Sequence, residues 1–198
     1  LDAGDCHRGV HFPNEPHRPL DRAHDELVRL LEFHPNSPDI HKRLLAVEGD
    51  NSVDLARDLD LLEGVWDLRW SSSKQPWLKQ APWLENLQVL APSIGRGCNL
   101  LRLSGPFGSV GGICVQADLQ PVSDQRVDVH FRRGGWVGPR LFGSSRLEWT
   151  RAVKQSFPAW LDITALDEQL RICRGNAGTI FALLRRDDLE IDGFFQSQ

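Results

Sequence analysis

Residues 160–185 read WLDITALDEQLRICRGNAGTIFALLR, and this stretch predicts a β-hairpin close to the end of the chain. Polar and apolar side chains alternate over residues 170–173, which is the period of a half-buried strand. Residues 175–178, Gly-Asn-Ala-Gly, can supply the positive φ angles of a tight reversal. Residues 179–184 are almost all apolar, so the second strand is expected to be central or covered on both faces. Such a hairpin indicates a closed, mostly antiparallel sheet.

The same stretch resembles the C-terminal signature of the plastid lipid-associated proteins, also called fibrillins or plastoglobulins. The resemblance rests on a run of the form W-L-D-x-T-x-L-D-x-x-L-R-I-x-R-G-N-x-G-x-x-F, which begins at Trp160 and ends at Phe181. Ala165 stands where the family usually has Tyr, so a family site that used this Tyr would be altered here. The resemblance extends to a central hairpin over residues 117–131 and spans about residues 54–185.

Composition describes an ordinary soluble protein of one domain with a helical extension. The chain has 198 residues, 25% of them charged, and a formal net charge of −4. There is no basic excess that would indicate nucleic acid, and no apolar run approaches the ~20 residues of a spanning helix. Four cysteines show no C-x-x-C spacing, so zinc or thioredoxin chemistry is not indicated. Cys98 and Cys114 are expected as thiols on neighbouring strands, with a disulfide as the less favoured alternative.

The chain divides into four predicted parts. A flexible arm over residues 1–19 is rich in His, Pro and Gly, and residues 20–62 carry the N-terminal helices. The barrel is expected over 63–186, and 187–198 form an acidic tail expected to fray unless a partner holds it. A solvated arm is favoured over a metal or pigment site, because no carboxylate or Cys completes a recognisable ligand set for the crowded histidines, His7, His11, His17 and His24.

Three helices are predicted in the N-terminal part. Apolar residues at helical spacing mark the first over residues 21–33. Ser37 offers an N-cap, with Pro38 at the first helical position, for a second helix to about Glu48. A short third helix is expected over 54–62. Together they are expected to form one layer over an end or a side of the barrel.

The first strand is predicted at residues 64–70, where apolar side chains alternate with polar ones. Its Gly-x-Trp start resembles the opening of the lipocalins. That resemblance implies that Trp66 closes the barrel base and that Arg171 or Arg174 lies across its indole. The residues expected in the barrel interior or at its closure are Trp66, Leu68, Trp70, Val115, Ala117, Val129, Phe131, Arg171, Arg174 and Phe181.

A loop with two Pro-Trp-Leu copies, at residues 76–78 and 82–84, follows the first strand. Covering the barrel mouth is favoured, and docking on a membrane or protein is the alternative, because exposed aromatics suit both partners. The expected contact residues are Trp77, Leu78, Trp83, Leu84, Phe194 and Phe195. The Gly-rich residues 134–143 are predicted to form a rim loop, because they lack the Lys and helix start of a phosphate loop.

The sequence therefore predicts a mainly β fold, a lipocalin-like antiparallel β-barrel of roughly eight strands with an N-terminal helical extension. Its interior would hold one small apolar ligand. Enzyme motifs are missing: His130 is better explained as an outward strand residue than as a catalytic base. Asp162 and Asp167 are better explained as caps or turn residues than as a carboxylate pair. No metal site is expected.

The resemblance implies a non-enzymatic protein that binds isoprenoid or other lipids, or pigments, in or beside photosynthetic membranes. No cofactor is required, and the bound molecule could be a lipid, quinone, carotenoid or chlorophyll. The implied partners are the surface of thylakoids or plastoglobules, in a plastid or a cyanobacterium, with peripheral attachment and no role for nucleic acid. One alternative is an accessory subunit on a photosystem or antenna complex. A chromophore-handling protein similar to the bilin lyases, which also use lipocalin-like barrels, is the nearest enzymatic alternative.

Overall fold

The computed structural model describes residues 19–50, 52–105, 108, 111–141 and 145–195. The predicted N-terminal arm, with His7, His11 and His17, lies outside the described residues. His24 is described, and it lies within the first helix.

Three helices precede the sheet, within three residues of their predicted starts and ends: α1 (Pro19–Phe33), α2 (Ile40–Asp50) and α3 (Leu55–Leu62). Asp54 caps α3, where its Oδ1 accepts a hydrogen bond of 3.0 Å from the backbone N–H of Ala56. Arg69, on the first strand, donates to the carbonyl oxygens of Leu31 at 3.0 Å and Glu32 at 2.9 Å, which satisfies the last turn of α1.

Nine strands follow α3 in the described residues. They are β1 (Gly64–Ser71), β2 (Leu84–Ala91), β3 (Arg96–Leu103), β4 (Gly112–Pro121), β5 (Arg126–Leu141), β6 (Ser145–Ala152), β7 (Ala159–Leu166), β8 (Leu170–Gly175) and β9 (Ile180–Arg185). All pairings are antiparallel, and eight strands close into a ring in the order β1-β2-β3-β4-β5-β7-β8-β9. The lipocalin-like barrel is therefore confirmed, with β6 outside the ring.

The long strand β5 uses one edge for two partners. Its first residues pair with β7, and from Arg133 onward the same edge pairs with β6. Between the two, the side chain of Gln155 replaces a strand: it accepts from the backbone N–H of Phe131 at 2.6 Å and donates to the carbonyl oxygen of Val129 at 3.1 Å. The hairpin of β5 and β6 thereby extends from the ring without opening it.

The Gly-rich segment expected as a rim loop is instead the second half of β5. The prediction was wrong for residues 134–141, and residues 142–144 lie outside the description. The glycines allow close approach of the neighbouring strand: a Cβ on Gly135 would lie 2.1 Å from the carbonyl oxygen of Trp149. Glycine at a strand interior therefore marks tight packing of backbones here and not a loop.

Strand β7 was not predicted, because its apolar alternation is interrupted by polar residues. Asp162 forms a two-point ion pair with Arg126 on the neighbouring strand, with N···O distances of 2.6 and 2.8 Å. Thr164 donates to Glu48 of α2 at 2.6 Å. These partners satisfy polar groups within a strand, a circumstance that hydrophobic periodicity does not detect.

The apolar core has three parts. One lies inside the barrel, and a second lies between α1, α2 and the outer face of β7–β9. The last strand, β9, is covered on both faces as predicted, since Leu183 belongs to the first part and Ala182 to the second. The third part covers the outer face of β1–β5, where the final helix α4 (Asp192–Phe195) packs. The tail is therefore held by the chain itself up to Phe195, and not frayed.

Both cysteines expected on neighbouring strands lie in that third part. Cys98 is on β3 and Cys114 on β4, and both are buried thiols. They are not directly opposite: Cys98 pairs in register with Gln116, and Cys114 with Leu100. The disulfide alternative is therefore not realised.

Candidate functional site

The barrel encloses a cavity of about 470 Å³ that opens at one end. This volume lies within the ~300–1,000 Å³ typical of small-molecule sites. Five of the predicted interior residues line it, and they come from β4, β5 and β9: Val115, Ala117, Val129, Phe131 and Phe181. Leu78, predicted as a contact residue, also lines the cavity and packs against the barrel core. The wall is thus largely apolar.

Trp66 closes the opposite end of the barrel. It is fully buried, and its indole Nε1 donates to the carbonyl oxygen of Leu62, in α3, at 3.0 Å. The guanidinium carbon of Arg171 lies 5.1 Å from the ring centroid, and that of Arg185 lies 4.5 Å away. Arg185 also donates to the carbonyl oxygen of Glu63 at 2.8 Å. Two cations therefore flank one indole, and the closer of them is the one that the sequence did not indicate.

Arg171 is fully buried between this indole and the cavity floor. Its Nη2 donates to Oε1 of Gln88, while its Nε and Nη1 have no hydrogen-bond partner in the described structure. Burial lowers the pKa of Arg171 to about 10, and the nearby charge of Arg185 acts in the same direction. The group remains cationic at neutral pH despite this shift.

Two predicted interior residues lie elsewhere. A register shift between Leu68 and Trp70 breaks the alternation of β1, so Leu68 stays in the barrel core while Trp70 turns to the helices. There Trp70 stacks on His41 of α2, with ring centroids 5.8 Å apart. Arg174 also lies on the outer face and binds Glu48 of α2, with Nε 3.0 Å from Oε1. Neither residue contributes to barrel closure, which corrects the prediction.

The Pro-Trp-Leu loop covers the cavity mouth with one side chain and exposes two others, and its predicted docking role stays a prediction. Leu78 covers the cavity mouth, whereas Trp77 and Trp83 are 54% and 63% exposed. The loop backbone is anchored beneath them: the Asn86 side chain donates to the carbonyl oxygen of Trp77 at 3.1 Å, and the hydroxyl of Ser104 donates to that of Pro82 at 2.8 Å. Leu84 is half-buried at the start of β2. Two indoles are thus held in solvent on a fixed backbone.

Further exposed apolar residues continue from the mouth along one row of paired strands. Asn86, at the cavity, pairs with Leu101, which pairs with Ile113. Ile113 is opposite Trp136, and Trp136 is opposite Trp149, which is 72% exposed. Residues paired in this way point to the same face of the sheet. We define the apolar rim as the exposed residues of loop and row, Trp77, Trp83, Ile113, Trp136 and Trp149.

Phe194 and Phe195, predicted as membrane or partner contacts, are half-buried in α4 against the outer face of the sheet. Their burial by the chain's own strands removes them from the exposed apolar surface.

The residues considered for catalysis do not form a reactive group. Asp162 pairs with Arg126, and Asp167 accepts hydrogen bonds from the backbone N–H groups of Gln169 and Leu170 at 2.7 and 2.8 Å. Asp167 is thus the predicted turn residue, while Asp162 is an ion-pair partner within a strand. His130 is exposed on β5. Within the described residues no three His, Cys, Asp or Glu side chains are grouped so as to hold a metal ion.

Sequence reasoning missed several cavity residues. Gln88 and Asn99 were missed because they are polar. The apolar residues beside Gln88 on β2 are Leu87 and Val89, and they point to the outer face. Trp160 and Leu161 lie on the unpredicted strand β7. Alternation alone could have indicated two faces for β2 but not which one faces inward.

Comparison with known proteins gives one match. The model of the family described as PAP_fibrillin matches residues 39–184, which covers most of the sheet and two helices. No curated protein and no solved structure matches the chain. Among the described residues, no helix has the length and apolar character needed to cross a membrane.

Proposed function

The chain belongs to the PAP_fibrillin family, and from this premise we propose that it holds one lipid-like molecule in its barrel while docked on a plastid membrane or lipid body. Membership of the family implies association with plastid lipid structures and a generally non-enzymatic role. Beyond this, the cavity would hold the ligand and the apolar rim would provide the attachment. A lipid, a quinone, a carotenoid or a chlorophyll all fall within the proposed class.

The cavity is the observation that carries the proposal. A well-packed barrel interior leaves few voids larger than a water molecule. Here Leu78, Val115 and Phe181 instead surround about 470 Å³ of open space. Burial of an apolar ligand against such a wall gains about 25 cal/mol for each Å² removed from water.

Filling the cavity tests the ligand site. Ala117 lies on the cavity wall and is buried, so Ala117→Trp should occupy the space. We expect the variant to bind the neutral dye Nile red at least about tenfold more weakly than the wild type, a difference readily measured by titration. Ala56→Trp adds the same ring to an exposed position of α3 and is the matched control. Equal dye binding by a folded Ala117→Trp variant would show that the cavity is not the binding site.

The apolar rim supplies the attachment in this proposal. Exposed patches of this kind mark protein or membrane contacts, and indoles suit the membrane interface. Because the net charge is −4, attraction to anionic lipid is not what would hold the protein. Burial of two large side chains such as Trp77 and Trp83 would yield ~3–6 kcal/mol, enough for reversible attachment.

Flotation with galactolipid vesicles tests the rim. We expect Trp77→Ser with Trp83→Ser to reduce vesicle binding, while the melting temperature stays close to that of the wild type. Phe33→Ser with Leu45→Ser removes two exposed apolar residues from α1 and α2 and is the matched control. Equal loss in both pairs would show that attachment is not specific to the rim.

Protein isolated from its source membrane distinguishes carrier from subunit. Native mass spectrometry should show the chain with one bound small molecule. A stable complex with a photosystem or antenna protein that survives high salt would instead assign the rim to protein contact.

A further inference from the structure

We propose that the barrel takes an amphiphile with a carboxylate head, inserted head first so that the carboxylate meets Gln88 at the cavity floor and the chain runs toward the mouth. This inference rests on the proposed function, because it assigns the chemistry and orientation of the ligand in the same cavity. Its basis is a buried cation next to that cavity without an anion to balance it.

Arg171 carries an uncompensated charge. It is fully buried, and within the described part of the chain no carboxylate forms an ion pair with it. The neighbouring cation, Arg185, adds to the positive potential. Buried charges in proteins are normally paired, because leaving one unpaired is costly. The floor of the barrel therefore favours an anion over a neutral group of similar size.

Gln88 connects this cation to the cavity. It is 9% exposed and lines the cavity, and its Oε1 accepts the hydrogen bond from Arg171. Since the amide oxygen faces the guanidinium, the amide Nε2 is left to donate toward the cavity. An amide whose oxygen is bound by a cation is polarised and becomes a stronger donor. A carboxylate oxygen at the floor would accept from it.

The distribution of polarity along the cavity sets the orientation. From Gln88 toward the mouth the wall includes apolar groups such as Phe181 and Leu78, whereas Leu90, opposite Gly64 at the start of β1, lies on the closed side of Gln88. A hydrocarbon chain can pack against this wall, whereas a carboxylate placed there would lose its hydration without gaining a partner. Among the described residues that line the cavity, Gln88 combines a donor with a hydrogen bond to the buried cation Arg171.

Competition for Nile red among matched ligands tests the head group. Lauric acid, methyl laurate and dodecanol share one chain and differ in the head. We expect the wild type to bind the acid at least about tenfold more tightly than the ester or the alcohol. Equal affinity for all three would overturn the carboxylate proposal and leave the cavity function intact. Failure of all three to displace the dye would count against the cavity function itself.

Gln88→Glu provides the decisive variant, because it introduces a carboxylate where the ligand's own is proposed to bind. We expect the preference for acid over ester to disappear, while thermal stability is kept or raised by the new ion pair with Arg171. Gln116→Glu makes the same change on the outer face of β4 and should leave the preference as in the wild type. An unchanged preference in folded Gln88→Glu would overturn the proposal.

Photo-crosslinking tests the orientation in the wild-type protein, so the proposal stays falsifiable if the variant does not fold. One laurate analogue carries a diazirine beside the carboxyl group, and another carries it at the methyl end. We expect the first to label peptides containing Gln88 and Leu90, and the second to label the peptide containing Leu78. The reverse labelling would overturn the head-first orientation.

Discussion

Nε2 of His24, in α1, lies 2.8 Å from Oδ2 of Asp167, in the turn between β7 and β8. The carboxylate of Asp167, as acceptor for the imidazole N–H, raises the pKa of His24 above its ordinary value of 6.5, against the effect of burial. Burial raises the pKa of Asp167, but its bonds to His24 and to two backbone N–H groups outweigh this, and the net shift is downward from 3.8. One ion pair thus ties the first helix to the last hairpins of the barrel.

This pair predicts a pH-dependent part of the stability. The contribution of His24 is full below pH 6.5 and is lost as the pH rises through its raised folded pKa. That of Asp167 is full above pH 3.8 and is lost as the pH falls through its lowered folded pKa. We expect His24→Gln to lower the free energy of unfolding by up to about 1 kcal/mol between pH 3.8 and pH 6.5, and by less at higher pH.

Denaturant unfolding across a pH series measures this difference. Asp167→Asn should lose the same pH-dependent part, together with a constant part from the turn that Asp167 caps. A constant gap between the wild type and His24→Gln from about pH 5 to pH 9 would contradict the pairing.

Truncation of Trp66 should destabilise the whole barrel. We expect Trp66→Ala to cost ~3–5 kcal/mol, because it removes a fully buried aromatic side chain and leaves two cations without the indole between them. Trp149→Ala, at a 72% exposed position, should stay within about 0.5 kcal/mol of the wild type. A loss below ~1 kcal/mol for Trp66→Ala in denaturant unfolding would contradict its role in closing the barrel.

Gly178 should act through its backbone alone. It has a φ of +72°, and a Cβ built on it would meet nothing within 4 Å. We therefore expect Gly178→Val to lower the free energy of unfolding by about 1–3 kcal/mol, the range for strained backbone. Gly178→Asn should cost less, since Asn tolerates positive φ. Loss of dye binding without loss of stability in Gly178→Val would place the turn in the site instead.

The hairpin of β5 and β6 should open locally when Gly135 gains a side chain. The Cβ of Gly135→Ala would lie 2.1 Å from the carbonyl oxygen of Trp149, so the two strands must separate. Amide exchange of residues 148–152 should accelerate by at least about tenfold, while exchange in the ring is unchanged. Gly134→Ala, whose Cβ meets Val153 at 3.3 Å, is the control. Exchange that is unaffected in Gly135→Ala would mean that the close approach is not required.

The hairpin and the barrel could be predicted because the strand alternation and the turn residues favour the same structure. Apolar alternation in β4 matches the inward face, and that in β8 matches the outer face covered by α1 and α2. The Gly-rich turn at residues 175–178 matches the observed reversal, in which Gly178 N–H donates to the Gly175 carbonyl oxygen at 2.8 Å. The helices could be predicted for the same reason, because a helix with an apolar stripe packs that stripe against the core.

Other features depend on partners that lie far away in sequence. The pairing of Asp162 with Arg126 conceals a strand, and the register shift after Leu68 sends Trp70 to the opposite face. Gln88 binds Arg171, 83 residues away, and no local pattern indicates this. Hydrophobic periodicity therefore cannot predict the polar residues of the candidate site that lie inside the barrel.

The pairing of β1 with β9 has a consequence for the order of synthesis. Trp66 is opposite Arg185, so the ring cannot close until the last strand has left the ribosome. The outer surface of β9 is also part of the platform for α1, the first described element of the chain. A nascent chain therefore carries open sheet edges and an uncovered helix until β9 arrives. Unpaired edges are templates for association between chains, so aggregation and chaperone binding should peak just before β9 emerges.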